Sequence, residues 1–146
     1  MWRKSGNINT MVLSTHECGT HAREHHDGNM IRKGTMKDEN CIFCKIIDCE
    51  IPSEKVYEDQ TTYAFKDINP QAKVHIIIVP RNHYENVAQL AKADPKQLAH
   101  MVQVAQQLAD EEFHGAYRLV FNTGEDAGQT VFHVHGHILT GEKLDE

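Results

Sequence analysis

Three histidines recur at every second position in His133-Val134-His135-Gly136-His137-Ile138-Leu139. Side chains alternate along a β-strand, so the three imidazoles would share one face, with successive rings carried on Cα atoms about 6.5–7 Å apart. Phe132, Val134 and Ile138 would point the other way, into the core. An imidazole that is neutral near pH 7 can act as a nucleophile, move a proton or bind a metal. The row of histidines is therefore compatible with imidazole catalysis and with a three-histidine zinc site.

The residues just before the row favour catalysis on an anion. Asn122-Thr123-Gly124-Glu125-Asp126-Ala127-Gly128-Gln129-Thr130 supplies pliant backbone with amide and hydroxyl donors. Donors so placed suit an oxygen that gains negative charge in a transition state. Glu125 and Asp126 oppose a general anion nest, and adjacency to the histidines is what gives this loop more than a connecting role. A second group of chemical residues is Cys41-x-x-Cys44, a spacing more typical of metal binding than of a structural disulfide. Two thiolates leave a closed zinc site short of two ligands. The same pair also fits a short helix that buries its cysteines as small apolar residues.

Stepping outward, the elements that must position these residues are legible from Cys41 onward. Ile42 to Cys49 reads as a short helix broken by Ile51-Pro52-Ser53. Val56 to Glu58 and Thr62 to Lys66 read as strands around a Glu58-Asp59-Gln60 turn, and Asp67-Ile68-Asn69-Pro70 as a loop. Lys73 to Pro80 is the clearest strand, with Val74, Ile76 and Ile78 on one face and His75, Ile77 and Val79 on the other. Asp94-Pro95-Lys96-Gln97 is a helix start, with Asp94 capping and Pro95 at the first helical position. Leu98, Met101, Val102, Ala105, Leu108 and Ala109 continue one apolar stripe to a stop at Gly115. Tyr117 to Asn122 and Val131 to Leu139 are the last two strands. About five strands, one long helix and one short helix predict an α+β fold with an antiparallel sheet.

The 146 residues suffice for one ordinary domain, and 40% apolar content supports a core. A net charge of −6 argues against non-specific binding to nucleic acid. The longest apolar run, Val74 to Pro80, is too short to span a bilayer, and Met11-Val12-Leu13 is followed at once by polar residues, so no membrane partner and a cytoplasmic location are expected. Residues 1–40 are polar and carry no sustained period, which predicts a disordered extension ahead of a domain at 41–146. His16, Cys18, His21, His25 and His26 cluster in that extension without a recognised ligand spacing.

Gly128-Gln129-Thr130-Val131-Phe132-His133-Val134-His135-Gly136-His137-Ile138-Leu139 resembles the signature of the histidine triad (HIT) superfamily. Cys41-Ile42-Phe43-Cys44-Lys45-Ile46, Phe65-Lys66-Asp67-Ile68-Asn69-Pro70-Gln71-Ala72 and His75-Ile76-Ile77-Ile78-Val79-Pro80-Arg81-Asn82-His83 follow the order of its Hint branch, zinc-bearing bacterial type. The resemblance runs from Cys41 to about Leu139. It implies a homodimeric HIT-type hydrolase that binds a purine nucleotide and cleaves nucleoside phosphoramidates, or similar nucleotidyl conjugates, at the α-phosphorus. By position, His135 resembles the nucleophile that takes the nucleotidyl group. Asn122, Gly128, Gln129, Thr130 and His137 resemble phosphate contacts, Asp67 the ribose ligand, and Phe65 and Ile68 the surroundings of the base. His75 resembles a buried histidine that supports the triad, and His133 completes it. The resemblance further implies a structural zinc held by Cys41, Cys44, His83 and His133. Dinucleoside polyphosphate hydrolysis, nucleotidyl transfer and a non-catalytic regulatory dimer are the alternative functions. Gly136 stands where the family carries an apolar residue, which predicts a gap on the core face.

Overall fold

Val74–Pro80 sets the frame of the molecule, because its two faces feed two separate cores. The computed structural model describes residues 37–145. Within them Val74–Pro80 is the third strand, β3, and every residue from His75 on is buried. Ile76 and Ile78 belong to one apolar cluster, Ile77 and Val79 to another. The neighbouring strands are β1 (Lys55–Glu58), β2 (Thr62–Lys66), β4 (Arg118–Val120) and β5 (Gly136–Thr140). The sheet order is β1-β2-β3-β5-β4, with every pairing antiparallel. This is the α+β architecture expected from the sequence.

Three helices cover the sheet: α1 (Ile42–Ile47), α2 (Val87–Ala93) and α3 (Pro95–Phe113). On α3 the Asp94 side chain accepts a hydrogen bond from the Gln97 N–H at 3.3 Å, and Pro95 takes the first position, where no donor is needed. Met101, Val104, Ala105 and Leu108 recur at helical spacing and pack on Ala64, Ile76, Ile78, Val134 and Ile138. Full burial of each larger side chain contributes about 1.5–3 kcal/mol. α1 covers the opposite face, where Phe43, Cys44, Ile46 and Ile47 meet Tyr63, Phe65, Ile77 and Val79.

Four sequence expectations are corrected. α2 was not expected; only Leu90 of its seven residues is buried, so it lacks an apolar stripe. The last strand begins at Gly136 instead of Val131, and His133 and His135 sit in the irregular segment ahead of it. There the Val134 N–H donates to the Tyr84 carbonyl at 2.7 Å. Phe132 is 42% exposed, since the alternation that buries Val134 and Ile138 does not extend back through the bend at 131–133. Gly136 leaves no gap: a Cβ there would lie 2.9 Å from Leu119 Cδ1 and 3.0 Å from Phe121 Cζ, so these two side chains fill the space.

Of the predicted extension, only residues 37–40 are described, and the His16–His26 cluster lies outside the described residues. Among the described residues no helix is long and apolar enough to cross a membrane.

Candidate functional site

The registers of β2, β3 and β5 bring the expected residues to one face. Phe65 pairs with Ile77 and Ile77 with His137, forming one cross-strand row beneath α1. His75 stands two residues before Ile77 and so shares its face. Its Nε2 lies 2.9 Å from His137 Nδ1 and 3.3 Å from Asp67 Oδ2. The Gln71 backbone N–H donates to His75 Nδ1 at 2.9 Å. That donor needs a lone pair on Nδ1, which puts the proton of the neutral ring on Nε2. His75 Nε2–H then donates to His137 Nδ1, and His137 is left with its own proton on Nε2, where it is a donor. Asp67, His75 and His137 come close enough together to hold a metal. The Gln71 donor makes them a hydrogen-bond relay instead, since a protonated Nε2 has no lone pair to give.

His135 is fixed by the same logic in the opposite sense. Its Nδ1 lies 2.8 Å from the His133 carbonyl, so Nδ1 carries the proton and Nε2 keeps its lone pair. The Phe43 ring meets His135 edge-on at 4.8 Å and Phe65 at 5.7 Å. Burial is the largest influence on His135 and pushes it below the ordinary imidazole value; the hydrogen bond to the carbonyl opposes it and the neighbouring His137 adds to it. His137 is lowered by burial and by His75, and His75 is lowered by burial against the opposing pull of Asp67. A neutral, tautomerically fixed imidazole with an open Nε2 can attack an electrophile, and a neighbouring Nε2–H can hold an oxygen beside it.

The loop before β5 folds as a 3₁₀ turn, Glu125–Ala127, closed by Gly128 at φ 98°. Gly128 lies over the Asn122 amide, whose nitrogen would sit 3.8 Å from a Cβ there. Gln129 is 2% exposed and fully committed: its Oε1 accepts from the Gly124 N–H at 2.9 Å, and its Nε2 donates to the Glu85 and Val131 carbonyls at 2.8 and 3.0 Å. It braces the loop and has no side-chain donor left for a ligand. Asn122 is half-buried and Thr130 is exposed. Asp67 Oδ1 accepts from the Asn69 N–H at 2.8 Å, a turn-forming bond, while its Oδ2 faces His75. Ile68 is 90% exposed at the tip of that loop.

His133 belongs to a second cluster as well as to the triad. It is fully buried, its Nε2–H donates to the Pro80 carbonyl at 2.9 Å, and its Nδ1 lies 3.4 Å from Cys41 Sγ and 3.5 Å from Cys44 Sγ. His83 Nδ1 lies 3.5 Å from Cys44 Sγ, so the four residues expected to hold a metal converge. A tetrahedral zinc with sulfur near 2.3 Å and nitrogen near 2.05 Å sets sulfur and nitrogen about 3.6 Å apart, which these separations match. Cys41 is pushed down to about 3 by its hydrogen bond with Cys44, with His133 helping against burial, while sharing with Cys41 and burial push Cys44 up. The close approach of the two sulfurs thus drives the thiols in opposite directions, Cys41 toward the thiolate and Cys44 toward the thiol. Sequence reasoning missed the contacts of Phe43, the Gln71 N–H and the Pro80 and Tyr84 carbonyls. The last three are backbone groups, which no residue type advertises.

A family model described as scavenger mRNA decapping enzyme C-term binding matches residues 40–144. The chain is 42% identical over 108 residues to the purine nucleoside phosphoramidase of Escherichia coli, covering 73% of this chain and 91% of the relative. It is 46% identical over 102 residues to Protein hit of Bacillus subtilis, covering 69% of this chain and 70% of that one. A solved histidine triad protein from Clostridium difficile superposes with a TM-score of 0.72 at 42% identity, covering 76% of this chain and 98% of its own. A HIT family hydrolase from Clostridium thermocellum gives 0.71 at 42%, covering 75% and 97%.

Proposed function

This chain belongs to the histidine triad superfamily, among its hydrolases, and on that premise we propose that it cleaves purine nucleoside phosphoramidates at the α-phosphorus through a nucleotidyl-histidine on His135. The observation that carries the reading is the fixed tautomer of His135: its proton is held on Nδ1 by the His133 carbonyl, which leaves Nε2 open. Nε2 attacks phosphorus, the phosphorus–nitrogen bond to the leaving amine breaks, and the amine departs with its electron pair and gains a proton. Water then attacks phosphorus, the bond to His135 breaks, and the nucleoside monophosphate leaves as the imidazole returns to its neutral form. One imidazole thus serves as nucleophile and then as leaving group.

His137 Nε2–H, Asn122, Thr130 and the backbone at Gly128 supply donors to the phosphoryl oxygens, and Gln129 acts through the loop it braces. Asp67 accepts from the ribose hydroxyls, with Phe65 and Ile68 near the base. Cys41, Cys44, His83 and His133 would hold a structural zinc, which would add to the stability of the fold and offer no position to substrate. The reading includes a homodimer, which sedimentation equilibrium tests, and a cytoplasmic location, where a thiol pair stays reduced for a metal.

Rapid quenching of wild-type protein with a labelled adenosine phosphoramidate should trap an acid-labile, base-stable adduct on the peptide carrying His135. His135→Ala should lose turnover by several orders of magnitude and still bind AMP, because ribose and base contacts remain. An adduct on His133 or His137, or one that forms equally in His135→Ala, would overturn the assignment. A parallel panel of adenylated amines, dinucleoside polyphosphates and nucleotide sugars ranks the leaving groups.

A further inference from the structure

The peptide unit between His133 and Val134 is engaged at both ends. Its carbonyl accepts from His135 Nδ1–H at 2.8 Å, and its N–H donates to the Tyr84 carbonyl at 2.7 Å. Tyr84 follows His83, and His133 begins the unit, so the two segments joined by this hydrogen bond each carry one histidine of the Cys41–Cys44 cluster. The His133 ring is itself anchored at both nitrogens, by the Pro80 carbonyl at 2.9 Å and by the two sulfurs at 3.4 and 3.5 Å. A continuous chain therefore runs from Tyr84 C=O through the Val134 N–H, the peptide plane and the His133 C=O to the Nδ1–H of His135. Hydrogen bonds in such a chain polarise one another, so tightening one end strengthens the other.

We propose that metal binding at Cys41, Cys44, His83 and His133 is energetically coupled to nucleotide binding at His135, with His133 as the positioning residue whose backbone carbonyl transmits it. The proposal rests on the reading of these two sites given above. Closing the four-ligand shell ties His83 to His133 through their rings, and so holds the Tyr84 and Val134 backbones together. The peptide plane then loses its freedom to tilt, and the His133 carbonyl stays aimed at His135. Without the metal, no common centre clamps the His133 ring to the sulfurs and to His83, and the peptide plane is freer to tilt. His135 can then turn or change tautomer, and the Nε2 lone pair spends less time facing phosphorus. By reciprocity, a nucleotide that holds His135 in its working orientation must tighten the metal site by the same factor.

Cobalt(II) provides the test, since its visible absorption reports a tetrahedral sulfur–nitrogen shell directly. The affinity of the full chain for cobalt is measured by competition with a chelator, with and without saturating AMP, and the affinity for AMP is measured with and without cobalt. Each ligand should tighten the other about fivefold or more, by equal factors. In ¹⁵N spectra, His135 of the loaded protein should show a single tautomer with the proton on Nδ1, and stripping the metal should convert it to a mixture. His83→Ala should weaken cobalt binding and abolish the mutual effect, and His83→Cys, which restores a fourth ligand, should recover both. Cobalt bound at these four residues with no mutual effect on AMP, or an unchanged His135 tautomer after stripping, overturns the coupling and leaves the metal site and the nucleophile standing. A protein that binds no metal through these residues overturns the zinc reading, and the coupling with it.

Discussion

Replacing His75 by Phe separates support of the triad from membership in it. The aromatic ring keeps the space between Asp67 and His137 filled but removes both nitrogens. On the outer side, the Gln71 N–H loses its acceptor at 2.9 Å, and because Gln71 is exposed it turns to water at little cost. On the inner side, His137 Nδ1 loses the donor at 2.9 Å that had forced its own proton onto Nε2. Leaving that half-buried acceptor unpaired costs stability about 1–2 kcal/mol. On the proposed reaction, the catalytic cost is that His137 must choose its tautomer and orientation afresh for each phosphoryl oxygen it would hold. Deleting an oxyanion donor outright costs about 10²–10³-fold in kcat. Loosening one should cost less, about 10–100-fold, which corresponds to ~1.4–2.7 kcal/mol of transition-state stabilisation. Steady-state hydrolysis of an adenosine phosphoramidate, with AMP affinity measured in parallel, gives the kcat loss directly. A rate within twofold of wild type would refute the relay from Gln71 through His75 to His137. A loss as deep as that of His135→Ala would refute it as well, by showing that His75 acts in the chemistry itself.

Three further outcomes are expected. Metal analysis should find one zinc per chain, lost in Cys44→Ser; with free zinc at a thousandfold its dissociation constant the linkage is worth ~4 kcal/mol, so chelation should lower Tm by roughly 15 °C. His75 and His137 are both held below the ordinary imidazole value of 6.5, burial being the first cause, so the unfolded chain takes up protons before the folded one does as pH falls. The stability they contribute is complete above 6.5 and lost as pH falls from there through their lower folded values, and denaturant midpoints between pH 8 and 5 should show this decline weakened in a His75→Phe, His137→Phe double variant. Gly136→Val should destabilise by about 1–3 kcal/mol through overpacking against Leu119 and Phe121, and adding Phe121→Leu should recover part of it; a stabilised single variant would show that these side chains yield freely.

The sequence displays its structure most clearly where one residue does one thing. Alternation along Val74–Pro80 separates two cores, and Asp94-Pro95-Lys96-Gln97 marks the start of the long helix where the cap forms. The short helix Val87–Ala93 was missed because it buries one side chain, yet a signal existed at its start. Asn86 Oδ1 accepts from the Gln89 N–H at 2.9 Å, an N-cap written as Asn-x-x-Gln, while Gln89 Oε1 reaches past the cap to the Glu85 N–H at 2.5 Å. The histidine alternation begins upstream of the paired strand, and period alone cannot tell that strand from the bent segment that leads into it. For the candidate site, residue types located the imidazoles and thiols, whereas the tautomers depend on the Gln71 N–H and the Pro80 and His133 carbonyls, which are visible only when the chain is folded.

The order β1-β2-β3-β5-β4 places the last strand of the chain between two that precede it. β4 pairs with β5, and β3 turns one edge to β5, so neither is completed until residues 136–140 arrive. During synthesis the N-terminal meander can pair as it emerges, while β4 waits beside an open slot. The segment that closes the slot also carries His137, and His133 and His135 come immediately before it. A chain cut short before residue 133 therefore lacks both the strand that fills the slot and all three clustered histidines, so filling the sheet and assembling the candidate site are a single event.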